Sequence, residues 1–219
     1  MKAMILAAGR GERMRPLTDV TPKPLLEVGG RALIVHLVEK LARCGFRELV
    51  INVAHLGGQI MEALGDGSRW GVAIAYSDER DEGALESAGG IVKALPLLGS
   101  GTFLVVNADV WCGCDFDPAF ELRGALAHLL LVPNPDHNAG GDFGLEGDRV
   151  SNERRYTFAG AAYYVPELFA SLSYGKAPLA PLLRRVVDEG AVRGTLYEGE
   201  WVDVGTPQRL KELNERVSR

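Results

Sequence analysis

The junction at Gly9 constrains this chain more than any other feature. Before it, Met4-Ile5-Leu6-Ala7-Ala8 is a short continuous apolar run, the pattern of a strand covered on both faces. After it, Gly9 and Gly11 remove two side chains, so backbone N–H groups can point at an anion and a ligand can approach closely. Arg13, Arg15 and Lys23 follow. Arginine forks match phosphate oxygens in pairs, and lysine acts as a mobile point charge. The chemistry indicated is binding of a nucleoside triphosphate, although a glycine pair after a first strand is also what a plain tight turn needs. Two other phosphate loops fail on spacing. A dinucleotide fingerprint requires a third glycine where Met14 stands, and a Walker loop requires Gly-Lys-Ser/Thr at its end.

With 219 residues, the chain has room for one sizeable core, and a single domain over residues 1–219 is expected. No apolar run approaches the length of a membrane span, and Ala3–Ala8 after Lys2 is too short for a signal peptide. A cytoplasmic protein without a membrane partner is the expectation. The net charge of −5 argues against nucleic acid as a partner, so anionic substrates must be met by a local basic cluster. Cys44, Cys112 and Cys114 are odd in number, and Cys112-x-Cys114 lacks the second pair that zinc would need. Reduced thiols are expected. Oligomeric state is not legible, and a monomer is compatible with everything read here.

Taken in order, the chain alternates strand and helix. Helical spacing covers Ala32 to Arg43, with Gly45 where a C-terminal glycine cap belongs. Strands are expected at Glu48–Val53, Val72–Tyr76 and Thr102–Asn107, and helices at Leu56–Leu64 and Ser87–Leu98. Between them Asp78–Gly83 is acidic and turn-like, a candidate mobile loop. This order predicts an α/β fold of the Rossmann-like kind: a mixed, mostly parallel central sheet with helices on both faces. The first and fourth strands should be close, with ligands gathered at their carboxyl ends. In the second half, His128–Val132, Tyr156–Val165 and Arg193–Glu198 read as strands, and Pro166–Leu172 and Leu179–Val187 as helices. Asn134–Asp142 and Asp148–Arg155 read as loop and polar turn, and a last helix starts at Pro207. No hexapeptide repeat announces a β-helix domain.

Two carboxylates stand out. Asp109 follows an apolar strand in Val105-Val106-Asn107-Ala108-Asp109, which sets it over the ligand crevice as a hard oxygen ligand suited to Mg²⁺. A solvated turn residue would look the same. Asp203, in Trp201-Val202-Asp203-Val204-Gly205-Thr206, has apolar flanks and is costly to bury unless paired or metal-bound. Two such residues sharing one Mg²⁺ is the expected arrangement.

The run from Leu6 to Thr18, followed by Pro22-Lys23-Pro24-Leu25, resembles the signature of the sugar-1-phosphate nucleotidylyltransferases. The resemblance implies attack of a sugar-1-phosphate oxygen on the α-phosphorus of a nucleoside triphosphate, with pyrophosphate leaving. It implies catalytic roles for Arg13, Lys23, Asp109 and Asp203, with both aspartates on Mg²⁺. Leu6, Ala7, Ala8, Gly9, Gly11, Glu12, Arg13 and Lys23 would surround the nucleotide. Further stretches are similar to the branch of that family that uridylylates N-acetylmuramate α-1-phosphate in bacterial cell-wall recycling: Gly65–Gly71, Leu85–Ile91, Ala94–Gly99, Asn107–Trp111, Gly141–Phe143 and Trp201–Thr206. By that likeness Ala54, Leu85 and Glu86 would lie near the nucleotide, and Asn107, Asp142 and Gly160 near the sugar. Asp142, in a glycine-rich loop, also reads as a simple turn residue. Three departures stand against the pattern: a longer, more acidic Asp78–Gly83, Ala88 where glycine is usual, and Lys176 displaced from the lysine expected before Leu179. Lys176 is a candidate phosphate contact only. Rival readings are a mannose-1-phosphate guanylyltransferase, another hexose-1-phosphate nucleotidylyltransferase, or a non-catalytic nucleotide-sugar-binding module.

Asp109→Asn removes metal-binding charge at almost constant volume. It is expected to abolish turnover while the melting curve stays that of a folded protein, and parental turnover in this variant would remove the metal assignment.

Overall fold

Alternation along the central strands divides the interior into two layers. A computed structural model describes residues 1–217. In it β1 (Lys2–Leu6) sends Ala3 and Ile5 into one core and Met4 into the other. β4 (Glu48–Val53) does the same with Leu49 and Ile51 against Val50, and β6 (Phe103–Asn107) with Leu104 and Val106 against Phe103 and Val105. These strands read as unbroken apolar runs because both faces are covered. α1 (Leu33–Arg43) and α2 (Gly57–Leu64) cover the first face through Ile34, Leu37, Leu41, Ile60 and Leu64. α3 (Glu86–Leu98) and α4 (Leu179–Asp188) cover the second through Ile91, Leu98, Leu182 and Val186. Each such side chain contributes about 1.5–3 kcal/mol when fully buried.

The sheet has eight strands. β1 pairs in parallel with β4 on one edge and β6 on the other, and β5 (Ala73–Asp78) extends it beyond β4. Beyond β6 the direction reverses: β10 (Arg149–Tyr164) is antiparallel to β6 and to β8 (Ala127–Val132), and β11 (Val192–Leu196) runs parallel to β8. β9 (Phe143–Glu146) is a hairpin partner of β10. Mixed and mostly α/β, the fold is of the class expected, and the first and fourth predicted strands are hydrogen-bonded neighbours. Two small ribbons complete it. β2 (Glu27–Val28) and β3 (Arg31–Ala32) turn at Gly29-Gly30, and β7 (Val110–Cys112) pairs with β12 (Trp201–Asp203). α5 (Pro207–Val217) seats Leu213 on Val28, Leu33 and Val204. Among the described residues no helix is long and apolar enough to cross a membrane.

Several expectations are corrected. The first strand ends at Leu6, and Ala7 and Ala8 are buried loop residues. Of Asp148–Arg155 only Asp148 is turn, together with Gly147, and the polar residues from Arg149 on form the exposed arm of β10. Their pattern hides the strand because much of this arm faces water. Pro166–Phe169 is a 3-10 turn that stops short of the expected Leu172. Cys112 and Cys114 are bridged sulfur to sulfur where reduced thiols were expected. The acidic stretch after β5 is tied down by side chains: Arg80 chelates Asp78 at 2.9 and 2.6 Å, and Glu82 accepts from Lys93 at 2.6 Å and from the Tyr174 hydroxyl.

Gly89 lies at a close contact on α3. The segment carrying Lys176 docks on the start of α3, where the Ala88 and Gly89 N–H groups donate to the Ala177 carbonyl at 3.0 and 3.1 Å. A Cβ at Gly89 would stand 2.2 Å from the Gly175 carbonyl oxygen. Gly89→Ala is therefore expected to cost about 1–3 kcal/mol and to lower the melting temperature by roughly 3–10 °C. An unchanged melt would show that the 175–177 segment is not seated there.

Candidate active site

Register puts Leu6, Asn52 and Asn107 at one level. Leu6, the last residue of β1, is paired with Asn52 of β4 on one side and Asn107 of β6 on the other. Just beyond, the chain leaves the sheet at Ala7 and opens a cavity of about 240 Å³. Leu6, Ala7, Ala8 and Gly9 form its floor, with Lys23, Glu86, Asn107 and Asp109 around it. Gly11 adopts φ 66°, a left-handed conformation that suits glycine. Its carbonyl accepts the Met14 N–H at 2.8 Å and the buried Thr18 hydroxyl at 2.9 Å, which folds the loop back on itself. Gly9 has no atom within 4 Å of where a Cβ would be, so its edge borders open space.

A second cavity of about 330 Å³ adjoins the first. Asn107 and Asp109 line both and form the wall between them. Arg13, Asp142, Gly160 and Asp203 belong to the second. The β7–β12 ribbon is what brings Asp203 here: it is paired with Val110, and the Val204 N–H donates to the Asp109 carbonyl at 2.9 Å. The two carboxylates predicted to act together thus share one cavity. Lys23 Nζ ion-pairs Asp109 Oδ2. Asp203 Oδ2 faces Arg209 at 3.0 Å and His137 at 3.4 Å. Asp203 Oδ1 is buried with no hydrogen-bond partner among the described residues.

Other predicted residues divide cleanly. Asp142 lines the second cavity with Oδ2 held by the Phe158 N–H at 2.9 Å and Asn138 Nδ2 at 3.1 Å. Gly160, at φ 73°, makes room for the Asn107 amide, which a Cβ there would meet at 2.7 Å. Arg13 lies on the Asp203 side and does not line the cavity floored by Ala7–Gly9. Glu12 is exposed on a 3-10 turn and lines neither cavity, as is true of Gly11. Ala54 is buried beyond β4, where its carbonyl caps the start of α2, outside both cavities. Leu85 is buried behind the cavity, while its neighbours Ala84 and Glu86 line it. Lys176 is exposed and lines neither.

Asn52 and Glu79 escaped the sequence reading. Asn52 Oδ1 accepts the Ala7 N–H at 2.8 Å, and its Nδ2 donates to Glu79 Oε1 at 2.8 Å. Glu79 is fully buried, and burial pushes its carboxyl above the usual carboxylate range, against the opposing pull of the Leu85 N–H and Asn52. Asn52 was detectable, since it lies one residue from the end of an apolar strand, much as Asn107 ends another. Glu79 sits in an acidic stretch with nothing local to distinguish it.

Comparison with known proteins agrees with this geometry. A family profile described as nucleotidyl transferase matches residues 2–145. The chain is 54% identical to the N-acetylmuramate alpha-1-phosphate uridylyltransferase of Neisseria meningitidis serogroup B, over 97% of this chain and 96% of that protein. It is 36% identical to the Caulobacter vibrioides protein of the same name, over 99% and 96%. A Bacillus anthracis structure described as a candidate glucose-1-phosphate thymidylyltransferase superposes with a TM-score of 0.87 at 25% identity, over 99% of this chain and 94% of that one.

Gly9→Ala adds a methyl group where the loop faces open space. Its melting temperature should match or exceed the parent's, while affinity for a nucleoside triphosphate should fall by at least about tenfold. Direct nucleotide titration checks this, and unchanged affinity would mean that the Gly9 edge does not border the phosphates.

Proposed function

This chain belongs to the nucleotidyl transferase family, and from that premise we propose that it transfers a uridylyl group from UTP to N-acetylmuramate α-1-phosphate. The observation that carries the reading is the pair of adjoining cavities with Asn107 and Asp109 as their common wall. A reaction between two bound substrates needs such a shared boundary. The likeness to the Neisseria protein across nearly the whole chain supports the choice of base and sugar.

In the proposed reaction an oxygen of the sugar phosphate forms a bond to the α-phosphorus of UTP. The bond from that phosphorus to the bridging oxygen breaks, and pyrophosphate leaves with the electron pair. The nucleophile is already an anion, so no general base is required. Repulsion between anions and their mutual orientation make the barrier, and catalysis is positioning plus charge neutralisation. We assign UTP to the cavity floored by Ala7–Gly9 and the sugar phosphate to the cavity holding Asp142 and Gly160. Lys23, at the boundary, would meet phosphate near the reacting centre. Arg13, on the far side of Asp109, would offset charge on the phosphates.

Asp109 and Asp203 suit a divalent cation. They share a cavity, and Asp203 Oδ1 is a buried oxygen without a partner. Two carboxylates are enough for Mg²⁺, which completes its shell with water and substrate phosphate. Bound there, Mg²⁺ would supply Lewis-acid charge at the α-phosphate. Lys23 and Arg209 ion-pair the two carboxylates and offset their mutual repulsion, and His137 lies beside Asp203. We place the activity in the cytoplasm, in recycling of a cell-wall amino sugar, with all site residues drawn from one chain.

Pyrophosphate release with Mg²⁺ tests this across UTP, GTP, dTTP, CTP and ATP against N-acetylmuramate, N-acetylglucosamine, glucose and mannose 1-phosphates. The expected maximum is UTP with N-acetylmuramate 1-phosphate. A maximum at GTP with mannose 1-phosphate would overturn the substrate pair and keep the family, and no release from any pair would overturn the enzymatic reading.

A further inference from the structure

The nucleotide cavity has two walls that do not touch through their own backbones. One is the loop Ala7–Gly9 after β1, and the other is the segment Ala84–Ser87 that begins α3. A single hydrogen-bonded chain joins them from behind. The Ala7 N–H donates to Asn52 Oδ1, Asn52 Nδ2 donates to Glu79 Oε1, and the Leu85 N–H donates to Glu79 Oε2, each at 2.8 Å. Asn52, Glu79 and Leu85 are 3%, 0% and 4% exposed, so water cannot substitute for a missing member. Glu79 itself is fixed by its backbone N–H, which donates to the Val53 carbonyl at 2.7 Å. No ion pair among the described residues includes Glu79. Gly90 leaves the space for this contact, because a Cβ there would stand 2.8 Å from both Asn52 Nδ2 and Glu79 Oε1.

We propose that Glu79, acting through Asn52, is a positioning residue that sets the spacing of the two walls and so the fit of the nucleoside triphosphate. This rests on the reading above only in taking that cavity as the nucleotide site. The Ala7–Gly9 wall has little apolar packing of its own, since Ala7 and Ala8 offer only methyl groups.

The direction of the chain makes the proposal specific. Both ends are backbone donors, at Ala7 and Leu85, and the only side-chain donor is the Asn52 amide. Glu79 must therefore accept on both oxygens, which an ionised carboxylate does and an amide does not. In Glu79→Gln the new NH₂ group faces either the Asn52 NH₂ or the Leu85 N–H. Rotating Asn52 to relieve the first clash would turn its NH₂ onto the Ala7 N–H. Asn52→Asp fails differently, by setting two carboxylate oxygens against each other. The double variant Asn52→Asp/Glu79→Gln satisfies every donor again. The carboxylate at 52 accepts from Ala7 and from the amide at 79, whose oxygen accepts from Leu85. Shape and net charge are those of the parent.

The test uses the full chain well below its melting temperature. UTP affinity is measured by calorimetric titration without acceptor, and KM for UTP and for the sugar phosphate by pyrophosphate release. Glu79→Gln is expected to weaken UTP binding and raise its KM about tenfold, with KM for the sugar phosphate within about twofold. Asn52→Asp/Glu79→Gln is expected to return UTP affinity to within about threefold of the parent. Unchanged UTP affinity in Glu79→Gln overturns the proposal, as does a folded double variant that binds no better than the single one. Equal losses in both KM values point to a merely structural role and also overturn it. If Glu79→Gln does not fold, the double variant decides: it should fold and bind UTP, and failure at either is decisive against the chain. A parent that binds GTP in preference to UTP would overturn the choice of base, and the same comparison run with GTP would still test Glu79. A parent that binds neither would overturn both.

Discussion

β1 is hydrogen-bonded on both edges in parallel, to β4 and to β6, and the consequences of that pairing run through the whole molecule. Parallel neighbours all end at the same side of the sheet. The loops that leave them are therefore crowded into one crevice, whose floor is the loop after Leu6. Asn52 and Asn107 are level with Leu6 for no other reason than register. A slip of one residue would turn both side chains to the opposite faces and put Met4 and Ile5 in each other's cores. Burial of Met4, Ile5, Ile51 and Val105 on the two faces prevents that slip, so the hydrophobic layers and the chemistry are maintained by the same ladder.

The charges are arranged locally, against the sign of the whole. The chain is acidic overall, yet Lys23, Arg13, Arg209 and His137 surround the two aspartates. Lys23 and Arg209 pair with the carboxylates, so charge at the site is balanced locally. The one buried carboxylate held without a cationic partner, Glu79, is stabilised instead by donors from Asn52 and Leu85.

Legibility followed the range of the signal. The loop from Gly9 to Lys23 was readable because its composition is local: an apolar strand, two glycines and then cations. Asp109 was readable as a residue shortly past a strand, and it ion-pairs Lys23. Asp203 carried a weaker trace, a carboxylate between apolar neighbours. The arm Arg149–Arg155 was misread because an exposed hairpin strand has no apolar side to alternate. The acidic stretch after β5 reads as a candidate mobile loop because the residues that hold Glu82 lie outside it, Lys93 on the next helix and Tyr174 far along the chain.

By itself the sequence determined the class of fold and marked the glycine loop and the charged residues after it as a candidate site, since periodicity, glycine placement and charge are properties of neighbouring residues. The tertiary structure alone decided which of those residues meet. The β7–β12 ribbon joins Asp203 to the strand after Asp109, and the Asn52–Glu79 contact joins two walls of one cavity. Ladder register and the exclusion of water from a packed interior produce both contacts, and neither quantity is written in any short stretch of sequence.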